Sequence, residues 1–318
     1  MSLTQAVKKE IISGLSEMQP CCKVAFLSAV FRASGSILIS SCGIGLVLST
    51  ENRALILFVK KIVYQIYGYS SSVETEENPL KKRNIYSIRI FDETILKETR
   101  IIVNENGLTK IYEGTDRYLL IDDCCRRSFI KGLFLGCGIV MMPRLKNIDE
   151  QIKTNVSYHL EFDLSNESFA LDLIELLKKE GLNYKNFLRN DRYIVYVKDS
   201  STVSDTLAYL NADNAVLYLQ NLLIEKSLRN NANRQSNCIT ANIDKSINAA
   251  EKQIRLIEKI KNKIGLEKLS EDLFIIAKLR LDNPSLSMAE LAFKSGLSKS
   301  GFNHRMQKLT EIALKLKE

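Results

Sequence analysis

The chain has 318 residues, 45% of them apolar, which exceeds what one small domain needs and suffices for two or three cores. It carries 45 Lys/Arg against 37 Asp/Glu, a formal net charge of +8, which favours a polyanionic partner, nucleic acid first and a membrane surface second. There is no run of 18 apolar residues and the opening MSLTQAVKKE lacks the apolar core of a signal peptide, so no membrane span is predicted and a cytoplasmic, nucleoid-associated protein is expected.

From the N-terminus, the first informative segment is CCKVAFLSAVFRASGSILI, Cys21 to Ile39. It returns as CCRRSFIKGLFLGCGIV, Cys124 to Val140. Both open on a cysteine pair and a basic residue, run through an apolar helical stretch and end at a glycine. Gly35 lies 13 residues after Cys22, and Gly138 lies 13 after Cys125. Strands are predicted near 37–41 and 46–50, then an amphipathic helix with Leu55, Val59, Ile62, Val63 and Ile66 at helical spacing and Gly68 as its C-cap. Strands near 71–76 and 84–91 follow, the second with Tyr86, Ile88 and Ile90 alternating with polar neighbours. After Gly138 the order repeats: strands at 139–142 and 158–164, a helix at 167–179 ending at Gly181, and strands at 184–189 and 193–198. Each half therefore predicts helix, two strands, helix, two strands, helix, an α+β layer duplicated in tandem.

The seven cysteines (Cys21, Cys22, Cys42, Cys124, Cys125, Cys137 and Cys238) are read as reduced thiols, mostly buried as small apolar groups. Vicinal pairs do not make a CxxC spacing and only His159 and His304 are present, so no metal and no cofactor are expected. No glycine-rich phosphate loop, catalytic triad or dinucleotide fingerprint appears, and Gly43-Ile44-Gly45 is too short to count. Asp122 and Asp123 read as turn or cap residues. No catalytic residue is assigned and the chain is not expected to be an enzyme.

Residues 222–264 carry nine Lys/Arg against four Asp/Glu, a basic excess greater than that of 265–318, where nine face seven. This stretch is predicted as mostly helical with a polar break at Arg229–Asp244, which lacks an apolar stripe. The break fits either an exposed hinge or phosphate contact by Arg229, Arg234 and Lys245. Thr240 or Asp244 is a candidate cap for the next helix, whose one side carries Ile247, Ala250, Ile254, Ile257 and Ile260.

The last 50 or so residues predict three helices. Ser270 caps the first, whose stripe is Phe274, Ala277 and Leu281, and Asn283-Pro284 stops it. Ser287-Met-Ala-Glu290 is a capping box opening the second, and Ser295-Gly296-Leu297 makes a sharp turn. Ser298 caps the third, which buries Phe302, Met306, Leu309, Ile312, Ala313 and Leu316 and begins its other face with Lys299, Ser300, Asn303, His304 and Arg305, then Lys308. This is the pattern of a helix-turn-helix over about 283–316, with the polar cluster where base edges are read; a generic three-helix bundle is the competing account.

The duplicated half resembles the tandem LAGLIDADG homing-endonuclease fold. In that family the acidic residue before the motif's last glycine binds the catalytic metal. Aligned on that glycine, LSAVFRASG (27–35) and IKGLFLGCG (130–138) put Ser34 and Cys137 at the two metal positions. Neither is a hard anionic oxygen ligand, so the resemblance implies the fold with its nuclease chemistry lost. The whole set of segments, including SYHLEF at 157–162, NRQSNCITAN at 233–242 and LSKSGFNHRMQKLTEIA at 297–313, resembles the WhiA family. That resemblance implies a sequence-specific regulator of transcription tied to cell division and sporulation. The expected organisation is a LAGLIDADG-like domain at 1–222 (pseudo-repeats about 1–120 and 121–222), a basic helical linker at 223–264 and an all-α helix-turn-helix domain at 265–318. The expected partner is double-stranded DNA, with a possible protein partner for the first domain; the alternative function is a DNA-associated interaction scaffold.

Overall fold

The computed structural model describes residues 2–15, 17–40, 43–78, 83–143 and 158–316. The chain folds as two compact units, 1–224 and 225–318.

The first unit opens with α1 (Leu3–Ser13), capped by a reciprocal box between Ser2 and Gln5. Then α2 (Pro20–Ser34), β1 (Gly35–Ser40), β2 (Gly43–Thr50), α3 (Arg53–Tyr67), β3 (Glu74–Asn78), β4 (Arg83–Ile90) and α4 (Glu93–Glu98) form the first half. A short hairpin, β5 (Ile102–Glu105) and β6 (Leu108–Ile111), and a 3-10 turn at Arg117–Leu120 lead into the second. That half repeats the order with α5 (Asp123–Cys137), β7 (Gly138–Met141), β8 (His159–Leu164), α6 (Glu167–Lys179), β9 (Lys185–Arg189), β10 (Arg192–Val197) and α7 (Ser200–Tyr209). The two antiparallel sheets have equivalent strand orders, β1-β2-β4-β3 and β7-β8-β10-β9. The duplication expected from the sequence is therefore present in the topology, and the fold is α+β. The hairpin β5–β6 has no counterpart among the predicted strands: its strands are four residues long, β6 is wholly exposed, and in β5 only Ile102 is buried, so there is no alternating apolar signal.

Local chemistry sets the helix ends. Asn52 caps α3 by accepting from the Leu55 N–H, and Gly68 closes it at φ +65°. Asn166 caps α6 in the same way through Phe169. The alternating residues of the strands separate two faces. Leu46, Leu48, Ile88 and Ile90 are buried against helices in the first sheet, as are Leu160, Phe162, Leu164, Val195 and Val197 in the second. The opposite face of the second sheet is mixed, with Ile194, Phe187 and Tyr196 beside polar residues, and two of its arginines are matched by acids. Glu161, 3% exposed, accepts from His159 Nε2 at 2.6 Å and Arg189 Nη2 at 3.1 Å, and Arg192 Nε donates to Asp163 at 2.6 Å.

The two halves meet through α2 and α5. Small residues permit the approach. A Cβ placed on Gly132 would lie 2.7 Å from the Phe26 carbonyl oxygen and 2.9 Å from Ala29 Cβ. One on Gly136 would lie 2.4 Å from Ala33 Cβ. Arg32, near the end of α2, extends this contact to the hairpin by donating to the carbonyls of Tyr112 (2.7 Å) and Arg100 (2.6 Å). Burial lowers the pKa of that guanidinium to about 10.

The cysteines depart from expectation. Among those described, Cys22 and Cys125 are buried and Cys137 half-buried, while Cys21, Cys124 and Cys238 are exposed. Cys42 lies outside the described residues. The exposed ones sit in the first turn of a helix or along a solvated one, so small size alone did not draw them inward.

The linker also departs. A single helix, α8 (Asp213–Lys263), runs without the predicted break at 229–244, and neither Thr240 nor Asp244 caps a new one. Its start packs into the first core through Ala215 and Leu219; its end enters the second through Ile257 and Ile260. Helix formation is cooperative, so a polar stretch held between two packed ends follows them. The polar stretch does hold an apolar line: Ile239, Ile243 and Ile247 recur every four residues and are about half exposed.

The second unit continues with a 3-10 turn at Leu266–Lys268, α9 (Glu271–Asp282), α10 (Met288–Lys294) and α11 (Lys299–Lys315) around a core of Leu273, Ile276, Ala277, Leu291, Phe302, Met306 and Leu309. The buried face of α9 is centred on Leu273, Ile276 and Arg280, so Phe274 and Leu281 lie at its margins and only Ala277 of the expected stripe is fully covered. Ser270 stands at the N-cap of α9 without a side-chain cap bond, unlike the expectation.

Gly136→Ala tests the helix contact. Alanine is the better helix former by about 1 kcal/mol, yet overpacking at this site is expected to leave a net loss of ~1–2 kcal/mol. The check is a lower denaturant midpoint at unchanged slope; a midpoint at or above that of the parent chain contradicts the close approach.

Candidate nucleic-acid interface

The candidate site is built by α10, the turn after it and the start of α11. Ser287 Oγ accepts from the Glu290 N–H at 3.3 Å, and Glu290 Oε2 accepts from the Ser287 N–H at 2.7 Å, the capping box expected from the sequence. Those bonds hold the Glu290 carboxyl below the usual carboxylate range. Gly296 adopts φ +68° in the turn, a left-handed conformation that residues with a Cβ resist. Ser298 Oγ accepts from the Gly301 N–H at 3.1 Å and so caps α11.

With these constraints the exposure of α11 divides cleanly. Phe302, Met306, Leu309 and Ala313 are buried, with Ile312 and Leu316 packed at the edge. Lys299, Ser300, Asn303, His304 and Lys308 are exposed, and so is the capping Ser298. The five exposed positions after the cap occupy the outer side of the first three turns. Arg305 is different. Its Nη1 donates to the Gly301 carbonyl at 3.3 Å and its Nη2 lies 3.2 Å from Asp272 Oδ2. It is half-buried and braces α11 against α9, which weakens its standing as a base-contacting group.

Three features escaped the sequence argument. Arg280 is the largest fully buried side chain. It donates to the Leu286 carbonyl at 2.7 Å and thereby pins the loop between α9 and α10; an arginine in an amphipathic helix gives no sequence signal of such burial. Asn283 links the same helices by donating to the Leu279 carbonyl (2.9 Å) and accepting from Lys294 Nζ (2.8 Å). Phe293, at 89% exposure beside this corner, is an uncovered aromatic ring.

On α8, Arg234 and Lys245 are both exposed and eleven residues apart, which returns them to one helical face to within about 20°. Lys252 falls on the same line. Arg229 projects from the opposite side and is ion-paired with Glu225. The structure thus groups two of the three linker cations and separates the third.

The two residues that the alignment sets before each motif's last glycine stand at equivalent helix ends. Ser34 is the last residue of α2 and Cys137 the last of α5. Cys137 Sγ donates to the Leu133 carbonyl at 3.3 Å, and burial pushes its thiol up to about 12. Lys8, from α1, acts electrostatically on Cys137; loss of hydration lowers its pKa to about 8, and its ammonium sits 5.9 Å from the Phe134 ring centre. The described carboxylate nearby, Asp163, is bonded to Arg192. A cationic side chain therefore stands near the helix end where the nuclease resemblance would put a metal.

Elsewhere, Cys21, Cys22, Cys124 and Cys125 have all four sulfurs within 4.8 Å of one another. The spacing argument against a metal considered each pair alone, whereas the fold brings the two pairs together. No helix among the described residues is long and apolar enough to cross a membrane.

Comparison with known proteins follows the same division. Residues 20–102 match the family model described as the WhiA N-terminal LAGLIDADG-like domain, 126–229 the WhiA LAGLIDADG-like domain, and 232–313 the WhiA C-terminal HTH domain. A "Probable cell division protein WhiA" of Clostridium tetani is 36% identical over 324 residues, covering 99% of this chain and 98% of that protein. A protein of the same name from Clostridium botulinum is 35% identical, covering 100% and 99%. The crystal structure of full-length DUF199/WhiA from Thermotoga maritima matches all of both chains with a TM-score of 0.59 at 24% identity, which speaks to the fold.

Two substitutions separate capping from recognition. Ser298→Ala removes a cap and is expected to cost about 1 kcal/mol of stability. Asn303→Ala removes an exposed side chain and should change stability by less than about 0.5 kcal/mol. Thermal melting of the full chain checks both; equal losses would place Asn303 in the folding contacts of its own domain.

Proposed function

We propose that this chain, which belongs to the WhiA family, is a sequence-specific DNA-binding protein that regulates transcription in the context of cell division, sporulation or chromosome segregation. The cellular context rests on its curated relatives, which are named as probable cell division proteins. The observation that carries the DNA-binding part is the start of α11: a capped, braced helix that buries one face and presents Lys299, Ser300, Asn303, His304 and Lys308 on the other. Helix-turn-helix proteins set such a tip into the major groove, where Asn bonds adenine and Lys bonds guanine or phosphate. Arg234 and Lys245 on α8 add phosphate contacts that carry no sequence information, and Arg229, committed to Glu225, contributes less.

The first unit is, in this proposal, a nuclease fold without its chemistry. Ser34 and Cys137 offer a hydroxyl and a protonated thiol, and Mg²⁺ takes hard oxygen ligands. The Lys8 ammonium near Cys137 further disfavours a divalent ion there. On the outer face of the second sheet, Arg189 and Arg192 are already paired with Glu161 and Asp163. A scaffold role beside DNA binding is favoured by the half-exposed line Ile239, Ile243 and Ile247 and by the bare ring of Phe293.

Selection of bound DNA from a random pool by the full chain, followed by gel shifts, tests the main proposal. Asn303→Ala should lose roughly 1–3 kcal/mol of preference for the selected site. Arg234→Ala and Lys245→Ala should weaken selected and random DNA equally. If about five phosphates are neutralised, log affinity should fall with log salt at a slope near −4 to −5, and each linker substitution should reduce that slope by about 1. An Asn303→Ala protein with unchanged preference rejects the assignment of the recognition tip. Incubation with DNA and Mg²⁺ should give no cleavage; specific metal-dependent cutting would overturn the loss of nuclease chemistry.

A further inference from the structure

Each cysteine pair occupies the same place in its own half. Cys21 and Cys22 are the second and third residues of α2, and Cys124 and Cys125 are the second and third residues of α5. The close packing of these helices brings both N-termini together, and all four sulfurs lie within 4.8 Å of one another. The interaction crosses between the halves: Cys22 is influenced electrostatically by Cys124, and Cys125 by Cys21. One thiol of each pair is buried and the other exposed. The arrangement therefore has the pseudo-twofold symmetry of the fold itself, with two sulfurs inside and two at the surface.

We propose that Cys21, Cys22, Cys124 and Cys125 form a tetrathiolate site for a single soft divalent metal ion, zinc in class, that fastens the two halves of the first unit together at the N-terminal ends of α2 and α5. Four sulfur ligands at about 2.3 Å from a tetrahedral zinc stand about 3.8 Å apart. The present separations need contraction of about 1 Å or less, within reach of side-chain rotation. The compact spacing favours one ion over an iron–sulfur cluster, whose core holds its cysteines farther apart. The ligand chemistry selects zinc-like ions over Mg²⁺ or Ca²⁺, which take oxygen. Each exposed sulfur provides an entry path.

The surroundings suit thiolates once a metal is present. Neither α2 nor α5 has a side-chain cap, so the positive end of each helix dipole is directed at its cysteine pair without a competing cap acceptor. With no cation, burial and the neighbouring thiols push Cys22 up to about 11, and burial raises Cys125 as well. Binding is then an exchange: four S–H bonds break, four protons leave to solvent, and each sulfur lone pair forms one metal–sulfur bond. No electron is transferred. Affinity must rise with pH, because protons and metal compete for the same lone pairs.

The site lies at the other end of α2 and α5 from Ser34 and Cys137. Fifteen residues of helix separate the two ends by about 20 Å. It is a structural clamp, with no open position for a reacting ligand.

The test uses the full reduced chain, stripped with a chelator and titrated with zinc alone. One zinc per chain is expected, with a rise in melting temperature on the order of 5 °C at free zinc near 100 times Kd. Cobalt substitution should give the visible absorption of a tetrahedral sulfur site. The pair Cys21→Ser and Cys124→Ser, both at exposed positions and so compatible with folding, should abolish stoichiometric binding, the melting shift and the cobalt bands, while Cys238→Ser retains all three. Failure of the parent chain to bind zinc stoichiometrically overturns the proposal. So does unchanged zinc binding in the Cys21→Ser/Cys124→Ser protein, or recovery of the parent chain with a disulfide between the two pairs in place of the metal.

Discussion

The contact between α2 and α5 is the constraint on which the first unit depends. Gly132 and Gly136 lie against Phe26, Ala29 and Ala33 at distances that leave no room for another carbon. A contact this close loses dispersion energy steeply when the helices part. It also fixes everything attached to them. Each helix feeds directly into the first strand of its sheet, through Gly35 and Gly138, so the two sheets inherit their separation from the helix pair. The helix starts bring together four cysteines, and the helix ends set Ser34 and Cys137. One packing decision thus determines the geometry at both ends of the axis.

Those two ends have diverged in chemistry. At the C-terminal end the helix carbonyls and their partial negative charge would welcome a cation, and Lys8 supplies one from the protein itself, partly desolvated and with a lowered pKa. A lysine there neutralises the site without assembling ligands or activating water. At the N-terminal end the dipoles have the opposite sign and favour thiolates. Hard-ion chemistry needs carboxylates at the two helix ends, where Ser34 and Cys137 stand, whereas soft-ion chemistry needs sulfurs that the same helices bring into range.

Much of this was legible because it is encoded locally. The capping box at Ser287 and Glu290, the cap at Ser298, the left-handed Gly68 and Gly296, and the helix Glu167–Lys179 each depend on residues within one or two turns. The repeated order of elements followed from two such segments. What escaped depends on distant partners. The polar run at 229–244 has poor helix formers and reads as a break, yet both flanks of α8 are packed and cooperativity carries the helix through. Arg280 looks like a surface residue until the carbonyl of Leu286 is placed over it. The cysteine cluster is invisible to spacing rules because its two halves are about a hundred residues apart in sequence and join only when α2 meets α5.

Charge placement favours the second unit for the DNA recognition proposed above. A cation contributes to phosphate binding in proportion to what it gives up to reach the phosphate. On the second sheet, Arg189 would have to leave Glu161, a carboxylate that is nearly inaccessible to solvent, and a buried acid stripped of its partner is costly. Arg192 would have to leave Asp163. Lys299 and Lys308, by contrast, extend from a helix already held by Ser298, Phe302 and Met306, and they sacrifice no buried partner on contact. Counterion release then appears in full as binding free energy. The same comparison ranks the linker, where Arg234 and Lys245 stand exposed on one face while Arg229 is committed to Glu225. A basic residue counts toward the proposed interface only to the extent that the fold leaves its charge uncommitted, and by that measure α11 and one face of α8 are its strongest candidates.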